Sequence, residues 1–324
     1  MSRLCGQDRE FTGILSYIKR NKKVTRESLT RGLLMRDTYP REFLSGRIHI
    51  ISQRRLGEQV LKSQFKDRLL KLVKEGVYEE GNKSRSIWVF EYKGEVLYQN
   101  ESVFYGLFGR IKKGGTERTF DMNKHKFLNE YIEKNIAQAY TFVIINPEKQ
   151  IIIFEEKNSL KHKKFLRMFE RSYNELYKTN DQIKIDLIKD ESKLLKEFEK
   201  RKVLNIIFDL KPSNPEDEED FKIVDDLIKK SKAKKARIKI ENTDGLDLSE
   251  RQGLARQGVA LTSAGYGEYN ALVEEDGRYK TIRSKGDILR EVFDVSSFSN
   301  DIIFDILKRF ERYHKSDKGD KSAK

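Results

Sequence analysis

The period of the apolar positions changes several times along the chain, and each change predicts an element. Phe11, Leu15 and Ile18 recur at helical spacing until Asn21-Lys22-Lys23 interrupts them. Leu56, Val60, Phe65, Leu69, Leu72 and Val73 keep a second helical stripe that stops at Gly76. Residues 1–80 therefore read as mostly helical, with Arg47 to Ile51 as a short strand. From Ser86 the period becomes two. Ile87 to Tyr92 predicts a strand, Lys93-Gly94-Glu95 a turn, and Val96 to Tyr98 the returning strand. Phe104 to Ile111 predicts another strand, in which Gly106 and Gly109 signal a bulge or a close backbone approach. Lys112 to Gly115 reads as a loop and Lys124 to Ala137 as a helix. Tyr140 to Ile145 and Gln150 to Glu155 form a hairpin around Asn146-Pro147-Glu148-Lys149. Its nearly continuous apolar character requires cover on both faces. A helix carrying Phe165, Met168, Phe169 and Leu176 follows.

The second half alternates more clearly. Ile183 to Ile188 predicts a strand, Glu191 to Lys202 a helix, and Val203 to Leu210 a buried strand. Pro215 suits a first helical position. The helix behind it begins acidic (Glu216 to Asp220) and ends basic (Lys229, Lys230, Lys232), which matches the helix dipole. Ala236 to Ile240 alternates as a strand, and Ser249 to Ala260 reads as a helix ended by Gly265-Tyr266-Gly267. Asp276-Gly277 between Tyr269 to Val273 and Tyr279 to Arg283 is a hairpin signal. Asp301 to Tyr313 predicts a last helix. Hairpins and helices mixed in both halves point to an α+β class, with mixed sheets, packed helices and a helical N-terminal region. The polar stretch Tyr177 to Gln182 suggests a division into residues 1–180, residues 181–314 and a flexible tail, 315–324.

Composition narrows the function. The 324 residues are enough for two ordinary domains. Lys and Arg number 66 against 52 Asp and Glu, a formal charge of +14, so the chain attracts polyanions, of which nucleic acid is the commonest in a cell. Cys5 is the single cysteine, which excludes an intrachain disulfide and a cysteine zinc site. Met1 to Glu10 has no apolar segment of the signal-peptide kind, and no apolar run has membrane-spanning length. The expected compartment is the cytoplasm.

Enzyme signatures are sparse. Glu155-Glu156-Lys157, at the end of an apolar strand, has the Glu-x-Lys spacing of metal-dependent nucleases, which place a carboxylate on Mg²⁺ and a lysine near the attacking water. The preceding strand, Tyr140 to Asn146, offers no partner carboxylate. His49, His125, His162 and His314 are scattered, without the spacing of a zinc site. Gly265-Tyr266-Gly267 lacks a dinucleotide fingerprint, and no cofactor is expected.

Basic clusters are plentiful. Lys161, Lys163, Lys164, Arg167 and Arg171 open a helix. Lys229, Lys230, Lys232, Lys234, Lys235, Arg237 and Lys239 run from a helix end into a strand with no acid between them. Lys19, Arg20, Lys22, Lys23 and Arg26 lie near the N-terminus, and Lys62, Lys66, Arg68, Lys71 and Lys74 share the helix before Gly76. Such clusters suit phosphate contacts, which supply affinity and not sequence choice. The reading is a non-enzymatic protein that holds nucleic acid, duplex DNA by its backbone. The alternatives are a metal-dependent nuclease using Glu155 and Lys157, and a protein–protein adaptor with a basic face.

One stretch resembles known proteins. Asn205 to Pro212 leads to a Pro-bounded helix and a Lys-rich exit. Arg237-Ile238-Lys239-Ile240, Gly245-Leu246-Asp247-Leu248 and Ala264-Gly265-Tyr266-Gly267 follow before a hairpin. Over about the last 140 residues this order resembles RexA-like phage-exclusion proteins and, more distantly, KwaB-like antiphage proteins. The resemblance implies a homodimer that binds DNA without strict sequence choice and acts with a membrane-protein partner in defence against phage. It carries no catalytic residues.

Overall fold

The structure, a computed structural model, describes residues 39–52, 62–75, 77–79, 86–112, 115–121, 126–132, 136–177, 181–213, 219–284, 288–295 and 297–312. The predicted helix around Phe11 to Ile18, the basic group Lys19 to Arg26, Cys5, His125, His314, Pro215 and the tail lie outside them. The fold is α+β, and all its strand pairs are antiparallel.

The larger sheet is built from β1 (Tyr39–Ser52), β2 (Val77–Glu79), β3 (Ser86–Tyr98), β4 (Glu101–Lys112), β7 (Ile136–Asn146), β8 (Ile151–Glu156), β9 (Asp181–Leu187) and β14 (Arg290–Val295). Its order is β14-β1-β8-β7-β4-β3-β2, with β9 also on β1. Helices α1 (Lys62–Glu75) and α2 (His162–Tyr177) cover one face. There Leu44, Ile48, Trp88, Phe108 and Phe154 meet Phe65, Leu69, Phe165 and Phe169 in one apolar cluster. Phe154 stacks on Phe165 with centroids 4.1 Å apart, and Phe108 meets Phe169 edge-on at 5.4 Å. The other face is covered by α6 (Asn300–Arg312), whose Ile303, Ile306 and Phe310 pack on Phe43, Phe142, Ile144 and Ile153. Successive strand residues point to opposite faces. Two covered faces thus explain the unbroken apolar runs of β7 and β8.

Several elements differ from the sequence expectation. Lys93-Gly94-Glu95 is no turn: β3 runs through it, with a register shift between Tyr92 and Gly94. The reversal comes at Gln99-Asn100, both at positive φ (53° and 65°), the geometry of a tight hairpin turn. The described residues within 124–137 hold no helix. β6 (Lys126–Ile132) pairs with β5 (Gly115–Asp121), and β7 has begun by Ile136. The short strand expected at Arg47 to Ile51 is present but belongs to a fourteen-residue strand, Tyr39–Ser52, that replaces part of the expected helical start. At Gly106, a close approach is present as expected: a Cβ there would sit 2.2 Å from the Glu91 carbonyl.

Strand pairing does not follow a division at residue 180. β9, beyond that limit, pairs with β1 from Gly46 to Ser52, and β14 pairs with the same edge of β1 from Tyr39 to Leu44. β8 holds the opposite edge. β9 and β14 lie end to end, and the Ile188 N–H donates to the Ser45 carbonyl between them at 2.9 Å. One edge strand is therefore interrupted by residues 189–289. A Lys189–Ile288 bridge and a 3.0 Å bond from the Leu289 N–H to the Ile188 carbonyl close the base of this insertion. α2 ends at Tyr177 and β9 begins at Asp181.

The inserted module contains α3 (Glu191–Glu199), β10 (Lys202–Leu210), a 3₁₀ turn (Glu219–Phe221), α4 (Lys222–Lys230), β11 (Ala236–Glu241), α5 (Leu254–Leu261), a π-helical turn (Thr262–Tyr266), β12 (Gly267–Glu275) and β13 (Arg278–Arg283). Its sheet order is β11-β10-β12-β13. Ile206, Phe208, Tyr269 and Ala271 face Val224, Ile228 and Val259 of the helices. Asp276-Gly277 makes the β12–β13 turn, both at positive φ.

Candidate nucleic-acid interface

Helix α2 is amphipathic because its apolar residues recur at 165, 168, 169 and 173, all buried. Glu156, the last residue of β8, fixes its start. One carboxylate oxygen accepts the His162 backbone N–H at 3.0 Å and meets the His162 ring nitrogen at 2.6 Å. The other takes Arg290 of β14 at 2.6 Å. Burial opposes ionisation of Glu156, but the His162 and Arg290 bonds outweigh it and hold its pKa at about 2.

The face of α2 away from the core carries Lys163, Arg167 and Arg171, one turn apart and exposed, with Lys161 exposed at the entrance. The three span about 12 Å at 1.5 Å per residue. None has an ion pair among the described residues. Lys164 lies over the Trp88 ring at 5.6 Å, and Lys74 of α1 lies over Tyr92 at 5.3 Å. Trp88 and Tyr92 are on the same face of β3, four residues or about 13 Å apart. Lys71 is exposed on α1, whereas Lys66 pairs with Glu148 at 3.4 Å and Arg68 covers the Tyr177 ring at 5.6 Å. The helical layer therefore presents cations from two segments to one side of the sheet.

The run from Lys229 to Lys239 folds differently. It is free of acids in sequence, yet folding brings acids into it. Lys229 pairs with Asp225 at 2.6 Å and Lys230 with Asp226 at 3.8 Å. Lys235 and Arg237 both meet Asp209 of β10, and Lys239 meets Glu241. Lys232 is an exposed turn residue at φ 50°, and Lys234 is exposed beside it. The module meets β1 through Arg47 and His49, whereas the neighbouring Leu44 and Ile48 face the α1–α2 core. The module therefore docks on the face of β1 opposite the α1–α2 core.

Glu155 and Lys157 are adjacent as their spacing requires, and they neutralise each other at 3.2 Å. Arg41 adds a second cation at 3.5 Å, and Glu155 is 4% exposed. Among the described residues, no three His, Cys, Asp or Glu side chains are grouped to hold a metal. His162 belongs to the α2 cap.

Sequence reasoning missed a buried polar group where the module joins β1 and β9: Arg47, His49, Asp186, Lys189 and Lys211 around the π-helical turn. The available signal was Arg47 and His49 alternating with Ile48 and Ile50 in a strand with an apolar surround.

A family model described as a domain of unknown function (DUF4747) matches residues 67–312, which takes in most of α1 and all of α2, the inserted module and α6. The chain belongs to this family. No curated protein matches the chain.

Proposed function

We propose that this member of the DUF4747 family holds nucleic acid, duplex DNA above all, by its phosphate backbone on the α1–α2 face, and catalyses no reaction there. The observation that carries the reading is the exposed stripe Lys163, Arg167 and Arg171, unpaired among the described residues, with Lys164 next to it over Trp88 and Lys74 of α1 over Tyr92. Free cations at one-turn spacing suit phosphates, whose contacts give affinity without base choice. Lys229 to Lys239 is demoted from principal contact to secondary, because Asp209, Asp225, Asp226 and Glu241 offset most of its charge. Glu155, held between two cations, is a poor metal ligand, which weighs against the nuclease alternative. On the resemblance of residues 205–267, the setting we propose is antiphage defence, with a second copy of the chain and a membrane-protein partner as associates.

The test is fluorescence anisotropy of a labelled random-sequence duplex across salt. Four neutralised phosphates predict a loss of affinity on the order of a hundredfold between 50 and 200 mM salt. The triple variant K163E/R167E/R171E is expected to lose binding at least tenfold, and K232E/K234E/K235E to lose much less. No binding at 50 mM salt, or the reverse order of the two variants, overturns the proposal. Binding of an acidic protein with no affinity for duplex would favour the adaptor alternative.

A further inference from the structure

Residues 189–289 hang from the large sheet by a narrow neck, and the neck is lined with charge. β1 sends Arg47 and His49 toward the module, at 2% and 6% exposure. Arg47 donates to the carbonyls of Lys149 at 3.0 Å and Ala264 at 3.5 Å, and its guanidinium lies over the Tyr266 ring at 4.9 Å. His49 Nε2 donates to the Gly265 carbonyl at 2.9 Å and lies 3.3 Å from Asp186 of β9. Its ring meets Tyr266 edge-on at 5.5 Å. Asp186 also binds Lys211, which follows β10, and pairs with Lys184 at 3.6 Å. Lys189 Nζ donates to the carbonyls of Thr262 at 3.3 Å and Gly267 at 2.7 Å, spanning the π-helical turn. From α2, Glu170 accepts the Ile185 N–H at 2.7 Å.

The contacts of Arg47 and His49 with the π-helical turn, and of Lys211 with Asp186, join the module to the sheet, and the charge around them is lopsided. Arg47, Lys184, Lys189 and Lys211 stand against Asp186 and Glu170. A proton on His49 would add a fifth cation inside packed protein, where a charge loses its water. Burial first, and Lys211 next, pull the His49 pKa from 6.5 down to about 4, despite the opposing pull of Asp186. π-Helical turns recur at places that move or bind, and this one is held only by the neck contacts and its own module.

We propose that the neck is an acid-released latch: protonation of His49 frees the 189–289 module from β1 and β9 while the large sheet stays folded. A released imidazole takes its proton near pH 6.5, and the docked one only near pH 4. Docking is therefore unaffected above pH 6.5, weakens as pH falls, and reaches its full loss below pH 4. The whole effect is on the order of 300-fold in the docking equilibrium, tenfold for each pH unit between the two values. Neighbouring acids do not mimic it. Burial opposes ionisation of Asp186, but Lys211 and His49 outweigh it and keep it below its ordinary value, so it stays charged through this window. Burial holds Glu170 above its ordinary value, and Glu170→Gln separates its titration from that of His49.

The test is hydrogen exchange on the full chain from pH 7.5 to 4.5, corrected for intrinsic rates. The neck reporters are the amide of Leu289, which bonds to Ile188 at the base of the module, and those of Lys189 and Lys211, which hold the π-helical turn through Ser263 and Tyr266. The reference is β7 and β8. Protection at the neck is expected to fall at least thirtyfold while the reference strands hold. His49→Gln keeps a donor for Gly265 without a titrating charge and should flatten the profile, whereas Glu170→Gln should leave the fall in place. An unchanged neck, an equal fall in His49→Gln, or loss of β7 and β8 together with the neck overturns the latch. If His49→Gln does not fold, the wild-type comparison of neck with reference strands decides alone.

Discussion

Asp209 on β10 accepts from both Nε and Nη2 of Arg237 on β11, at 3.0 and 2.8 Å, because the antiparallel register sets the two residues directly opposite each other. Lys235 shares the same carboxylate at 3.4 Å. A run that carries no acid in sequence thus acquires one across the sheet, 28 residues away. Cross-strand pairs of opposite charge are a normal unit of sheet stabilisation, and a cation so engaged has little field left for a phosphate. Lys235→Ala with Arg237→Ala should therefore leave duplex affinity within about twofold at 100 mM salt, where loss of two free phosphate contacts would reduce it far more. Anisotropy titration of the double variant is the measurement, and a tenfold loss would return this segment to the interface.

Helix α2 separates stability from binding on its two faces. Phe165 is fully buried, stacked on Phe154 and edge-on to Phe108 at 5.6 Å. Phe165→Ala should cost about 3–5 kcal/mol by chemical denaturation, as loss of a buried aromatic ring does. Arg167, exposed on the opposite side, should change stability by no more than about 0.5 kcal/mol when replaced by alanine, and should weaken DNA binding instead. Equal stability losses would mean that the stripe packs against protein.

Glu156 links that stripe to the distant edge strand. Its carboxylate is depressed from 4.5 to about 2, so its stabilising contribution is complete above pH 4.5 and is lost as pH falls through 2. The two values differ by an amount worth on the order of 3 kcal/mol. Glu156→Gln should remove that contribution at pH 7, fray the first turn of α2, and leave a weaker dependence of stability on pH between 4.5 and 2. Urea midpoints at pH 7, 4 and 2.5 check this, and parallel curves for the two proteins would contradict it.

The sequence reveals its local elements better than its connectivity. β10, β11 and the β12–β13 hairpin alternate cleanly because one face of their sheet is packed and the other is wet, and α2 and α6 show their buried stripes for the same reason. β6 misleads because Phe127, Leu128, Tyr131 and Ile132 fit a helical spacing as well as a strand, and pairing with β5 decides the matter. β14 went unread because Arg290 to Val295 is short and its partner on β1 lies some 250 residues upstream in sequence. The insertion is invisible for the same reason: nothing local says that Leu187 and Arg290 belong to one strand line. The basic clusters were legible as composition. Their separation into a free one on α2 and a largely neutralised one from α4 to β11 depends on Asp225 and Asp226, one helical turn before Lys229 and Lys230, and on Asp209, which only folding brings close. Of the group around His49, only Arg47 and His49 leave a local signal, since the other members come from β9, the exit of β10 and the π-helical turn.

Gly265 tests how tightly that group is packed. Its φ of +89° lies where an L side chain is strained, and a Cβ would stand 3.0 Å from Arg47 Cβ and 3.3 Å from the Asp186 carbonyl. Gly265→Ala should therefore lose about 1–2 kcal/mol from the backbone alone, with a further loss as Arg47 is pushed from the carbonyls of Lys149 and Ala264. Gly265→Asn separates the two contributions. Asparagine tolerates the left-handed region but has the same Cβ. If conformational strain dominates, the asparagine variant should recover most of the lost melting temperature. If the close approach to Arg47 dominates, both variants should melt equally early and expose the Lys211 amide, whose partner is the Tyr266 carbonyl at 2.8 Å. The second outcome is expected, because β1 is fixed by partners on both edges and Arg47 has nowhere to retreat. Full recovery in the asparagine variant would show that the neck has slack.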